Sequence, residues 1–131
     1  MRSSITKSRL SSAMVLLIDD ERTPAMFDIQ VDRVARTYSD AMSALRERRW
    51  TLILVDHDLA DFDGDGQERN GHDVVTWLES NPAYLPLDMV CISKNPSGRR
   101  RIEAAIASAY SRAASMGLDL DEPLPIESKM L

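Results

Sequence analysis

Three places in this sequence put reactive side chains directly after an apolar run. Asp19, Asp20 and Glu21 follow Met14–Ile18. Asp56, His57 and Asp58 follow Leu52–Val55. Ser93-Lys94-Asn95-Pro96-Ser97-Gly98 follows Leu87–Ile92. Carboxylates crowded together cannot all stay ionised cheaply. A hard divalent cation such as Mg²⁺ relieves the repulsion and takes oxygen ligands, so Asp19, Asp20, Asp56 and Asp58 are candidate metal ligands. Ser93, Asn95 and the amides up to Gly98 suit a phosphate beside that metal, with added positive potential from the helix start that follows.

Histidine titrates near neutrality. His57, beside these acids, is therefore either a general acid or base, or a ring held by Asp56 or Asp58 without catalytic duty. Asp56, His57 and Ser93 form the candidate catalytic set. Of Arg99, Arg100 and Arg101, at most two can share a direction on a helix; Arg99 is the one expected to fork onto a phosphate. Arg22 is a second phosphate candidate, or else it pairs with Glu21 or Asp20. His72, at a helix start, reads as structural or solvent-facing. Asp61-x-Asp63-x-Asp65-Gly66 matches the opening of a calcium loop, but the twelfth position holds His72 where a glutamate is needed. A polar, glycine-containing loop flanking the active edge, able to move as a lid, is the simpler reading.

These groups need a frame that brings strand ends together. Leu52–Val55 and Met14–Ile18 are unbroken apolar runs rich in branched residues, the pattern of strands buried on both faces. The expected class is α/β: a doubly wound parallel sheet with ligands at the carboxyl edge of its strands. Pro24 and a short intervening segment leave the first crossover helix short or absent. Val31–Thr37 is a third, more exposed strand. Thr37 or Ser39 caps a helix bearing Ala41, Met42, Ala44 and Leu45. A second helix carries Val74, Val75, Trp77 and Leu78 and ends at Asn81-Pro82. Leu87–Ile92 is the next strand, and a long helix runs from about Arg99 to Ser115, with Gly117 as its stop. Ile126 and Met130 hint at a further edge strand.

The 131 residues suffice for one domain with a real core. The expected division is a flexible basic arm over 1–13, with Arg2, Lys7 and Arg9, and one domain over 14–131. A net charge of −5 carries no general basic footprint for duplex DNA. Apolar runs of about five residues fall far short of a membrane span. Cys91 is the single cysteine, which rules out an intrachain disulfide and fits a reducing cytoplasm.

The segments IDDERTP, LVDHDL, NGHDVVTWL and ISKNPSGRRRIEAAI, in that order, resemble the cyclic-phosphate-processing receiver-like family, whose members are akin to response-regulator receiver domains. The similarity runs from about Met14 to Ala107. It implies a flavodoxin-like fold with strand order 2-1-3-4 and a possible fifth strand. It implies Asp19 and Asp20 as metal-binding acids, Asp56 at the phospho-acceptor position, and Ser93 as the hydroxyl that contacts the phosphoryl group. Ile92 stands where the family typically has a histidine. The lysine that receivers carry on strand five has only Lys129 as a late candidate, with Lys94 as a spatial substitute. The expectation is a Mg²⁺-dependent phosphoesterase acting on, or binding, a cyclic phosphate of RNA or a nucleotide. Its rivals are a phospho-accepting signalling receiver and a non-catalytic nucleotide- or protein-binding module.

Overall fold

The computed structural model describes residues 13–59, 61–62 and 68–118. The basic arm, the acidic calcium-like stretch from Asp63 to Gly66, and the tail with Ile126, Lys129 and Met130 lie outside these residues.

Four short strands form one parallel sheet: β1 (Val15–Ile18), β2 (Arg33–Ala35), β3 (Leu52–Val55) and β4 (Asp88–Cys91). Their spatial order is β2-β1-β3-β4, the receiver-like α/β arrangement. Between β1 and β2 the one helical element is a 3₁₀ turn, Pro24–Met26, with Pro24 at its start. Three α-helices follow: α1 (Tyr38–Glu47), α2 (Gly71–Ser80) and α3 (Pro96–Ser115). Residues Asp61–Phe62 and Glu68–Arg69 pair as a two-residue antiparallel ribbon between β3 and α2.

The order of the strands decides which face each connection covers. The step from β1 to β2 goes one way along the sheet; the steps from β2 to β3 and β3 to β4 go the other. Right-handed crossovers therefore put the Pro24 segment on one face and α1 and α2 on the opposite one. The core divides accordingly. Leu16, Ile18, Ile53, Val55, Met89 and Cys91 pack with Leu45, Val74, Leu78, Ile102 and Ala109 of the helices. Val15, Leu17 and Leu54 face the other way, with partly buried Phe27, Val31 and Val34 over them. The double winding expected from sequence is thus uneven: among the described residues all three helices join one core, and the second face has only the Pro24 segment.

Two elements differ from the sequence reading by more than one residue at an end. β2 is confined to Arg33–Ala35, shorter than Val31–Thr37. Helix α3 begins at Pro96, not Arg99, because Asn95 caps it: the Asn95 side chain accepts the Gly98 N–H at 3.2 Å, and Pro96 sits at the first helical position. Helix α1 starts where expected, with the Thr37 hydroxyl accepting the Asp40 N–H. No helix among the described residues is long and apolar enough to cross a membrane.

Helix α2 has a reciprocal cap. Asn70 Oδ1 accepts the N–H groups of His72 (2.9 Å) and Asp73 (3.3 Å), and Asp73 Oδ2 accepts the Asn70 N–H at 2.9 Å. Asn70→Ala removes both side-chain bonds, and a loss of about 1 kcal/mol is expected. Chemical denaturation measures it; a variant as stable as the parent would show that the cap is redundant.

Candidate metal centre

Register brings the strand ends level. Ile18 pairs with Ala35 and with Val55, and Val55 pairs with Cys91. The ladder continues one residue further. Asp19 N–H donates to Ala35 at 3.0 Å, Asp56 N–H to Ile18 at 2.9 Å, and Ile92 N–H to Val55 at 2.9 Å. Asp19 and Asp56 are therefore neighbours at the carboxyl edge. Side chains alternate between faces, so Asp19 continues the row of Val15 and Leu17, and Asp56 that of Leu52 and Leu54. Both acids point to the face that, among the described residues, carries only the Pro24 segment and no crossover helix.

One carboxylate oxygen from each of Asp19, Asp20 and Asp56 falls within 4.8 Å of the others. They line a cleft of about 510 Å³ together with Glu21, Arg22, Met26, Asp58, Ser93, Lys94 and Asn95. Asp19, Asp56 and Ser93 are buried.

The two buried acids are held differently. Asp19 Oδ1 accepts the N–H groups of Glu21 (2.7 Å) and Arg22 (2.9 Å), while Oδ2 takes the Arg22 guanidinium. Burial pushes the Asp19 carboxyl up, but those amides and the guanidinium outweigh it and hold its pKa below the ordinary value. Asp56 has less compensation. Burial, then the charge of Asp19, raise its pKa, against the opposing pull of Arg22, whose Nη1 is 3.6 Å from Asp56 Oδ1. An under-neutralised pair of acids on hard oxygen donors fits a small divalent cation.

The anion half comes from the end of β4. Ser93 Oγ accepts the Asn95 N–H at 3.1 Å, which leaves its own O–H to donate. Lys94 adds a cation on the cleft wall.

Seven of the ten candidate residues thus share one cleft: Asp19, Asp20, Arg22, Asp56, Asp58, Ser93 and Asn95. The other three do not reach it. His57 follows the parity of Ile53 and Val55 and turns toward the helical layer. Its Nδ1 lies 2.9 Å from Asp58 Oδ1, and its Nε2 is buried with no partner among the described residues. Its ring packs against Gly98, where a Cβ would come within 2.6 Å of His57 Cγ. Gly98 spends its N–H on Asn95, so that amide is not offered to a phosphate. Arg99 is half-exposed and pairs with Glu103 at 3.1 Å, with Nη1 3.5 Å from the Ser93 carbonyl. Asp58 stands on the rim but outside the three-acid group, its carboxylate engaged by His57 and largely exposed. Arg22 pairs with Asp19 and Asp56 rather than with Glu21 or Asp20.

Sequence reading gave no role to Arg36. Its Nη1 donates to the carbonyls of Asp19 (3.2 Å) and Arg22 (2.5 Å) and pins the acidic turn. Nothing local in the sequence ties it to residues 14 or more positions away.

The model of the cyclic-phosphate processing receiver domain matches residues 14–108. The chain belongs to that family. This receiver domain is also similar to a solved structure, the PhyR stress response regulator, at 17% identity and a TM-score of 0.39, covering 79% of this chain. The match spans 49% of that regulator, so the chain corresponds to about half its length. No curated protein matches the sequence. The acidic cluster of Asp19, Asp20 and Asp56 is consistent with a receiver-type divalent-metal site.

Proposed function

We propose that this receiver domain holds a divalent cation, Mg²⁺ or a similar ion, at Asp19, Asp20 and Asp56 and hydrolyses a cyclic phosphate ester at the end of an RNA or on a nucleotide. The observation that carries this reading is the meeting, in one cleft, of three carboxylates with the Ser93 hydroxyl, Lys94 and Asn95. When bound, the cation supplies charge neutralisation for the phosphate and acidifies water. The chain does the rest. Ser93 donates its O–H to a phosphate oxygen, and Lys94, also lining the cleft, balances the ester's charge. Hydrolysis forms one water–phosphorus bond, breaks one bond from phosphorus to the ribose oxygen, and moves one proton from the water to that oxygen. Asp56, through a carboxylate oxygen not given to the cation, is placed in the cleft to hold that proton in transit. His57 supports the edge from behind.

The test is incubation with Mg²⁺ and a panel of 2′,3′-cyclic nucleotides and cyclic-ended RNA oligomers. Ring-opened monophosphates that form only with the metal are expected. If no member of the panel is opened, the phosphoesterase reading fails. Labelling of Asp56 by a small phosphodonor without turnover would instead identify a signalling receiver.

A further inference from the structure

Resting on the metal reading above, we propose that Arg22 is a built-in substitute cation: it fills the acid pair while the metal is absent, and the metal must displace it to bind. The argument lies in which atoms are free. Asp19 Oδ1 is committed to two backbone amides, at 2.7 and 2.9 Å. The one Asp19 oxygen left to face the cleft is Oδ2, and Arg22 Nη1 holds it. The same Nη1 leans toward Asp56 Oδ1 at 3.6 Å. A metal that uses Asp19 therefore needs the oxygen Arg22 already engages, and it meets the same guanidinium beside Asp56.

The turn is built for exchange at the side chain alone. Arg36 clamps the Asp19 and Arg22 carbonyls, so the backbone holds still while the guanidinium leaves. Arg22 itself lines the cleft, and its side chain is 19% exposed, so a path toward solvent is open. Once displaced, the guanidinium stays in the cleft, where a phosphate seated at Ser93 and Asn95 competes with the rim acids Glu21 and Asp58 for it. One residue thereby opposes metal binding and, after it, favours the anion, coupling the two ligands in a fixed order.

The ordinary expectation for a residue in a binding cleft is that removing it weakens binding. Here the sign for the metal is reversed. Isothermal titration of Mg²⁺ into the full chain should show Arg22→Met binding at least about fivefold tighter than wild type, within the range by which coupled sites ordinarily alter one another. Arg22→Lys, which keeps the charge, should stay close to wild type. With Mg²⁺ saturating, inorganic phosphate should bind Arg22→Met several-fold more weakly. Should Arg22→Met fold poorly, Arg22→Gln carries the same expectation. Equal or weaker Mg²⁺ binding by the uncharged variants, with wild type binding normally, overturns the exchange and leaves the metal reading intact. No Mg²⁺ binding by wild type or any variant overturns both.

Discussion

Gly71→Ala is expected to cost about 3 kcal/mol of stability or more, at the severe end of what overpacking does. A methyl group there would stand 1.9 Å from the carbonyl oxygen of Asp56, 2.9 Å from its carbonyl carbon and 3.1 Å from Ile102 Cδ1. Two of those three atoms are backbone at the end of β3, and they cannot swing aside as a side chain can. The Gly71 N–H also donates to the His57 carbonyl at 2.8 Å, which fixes the distance between helix and strand. Alanine ordinarily favours a helix over glycine by roughly 1 kcal/mol; the clash reverses that gain. Urea unfolding measures the loss. A variant within about 1 kcal/mol of wild type would show that α2 can back away from the sheet at little cost. Gly98→Ala should be milder, because the His57 ring it meets is a side chain that can turn.

Asp56→Asn should separate stability from function. The Asp56 pKa is raised in the folded protein, chiefly by burial and then by Asp19, so its ionised form opposes folding. That opposition is complete above the folded pKa and fades as pH falls toward the ordinary carboxylate value. Asp19 has the opposite sign. Its lowered pKa favours folding above the ordinary value, and that support is lost as pH falls through the folded one. Without metal, wild type should therefore gain stability on mild acidification and lose it on further acidification. Asp56→Asn should melt higher than wild type at neutral pH in the presence of a chelator, and the gain on mild acidification should vanish. With Mg²⁺ at a hundred times its Kd, wild type gains about 2.7 kcal/mol, and the variant should gain essentially none. Melting curves across pH, with and without Mg²⁺, read all of this. A variant still stabilised by Mg²⁺ would remove Asp56 from the ligand set.

The acids were legible in the sequence because parallel strands put their carboxyl ends on one edge, and an apolar run followed by carboxylates marks such an end. The short first crossover was legible through Pro24, and the cap of α1 through Thr37. The direction of His57 could have been read by the same alternation that aims Asp56, since adjacent strand residues face opposite ways; chemical type drew attention ahead of parity. Asn70 and Asn95 could have been read as caps, one from Asp73 three positions on and the other from Pro96, but Asn95 was assigned to a phosphate and its helix was started at Arg99. The partner of Arg22 was not legible. Asp19, Asp20, Glu21 and Asp56 all offered charge, and only the folded turn, with two amides on one oxygen of Asp19, selects among them. The clamp by Arg36 is tertiary and leaves no local trace.

The strand order has a consequence for motion. Asp19 leaves β1 and Asp56 leaves β3, the two inner strands of the sheet, whereas Ser93 follows β4, an outer strand among the described residues. Outer strands open at lower free energy than inner ones. The backbone amides of Asp19 and Asp56 should exchange their protons only when the whole molecule unfolds, while the Ser93–Asn95 amides do so through brief local openings. The half of the site built for cations is therefore permanent, and the half built for anions can breathe around ligands of different bulk.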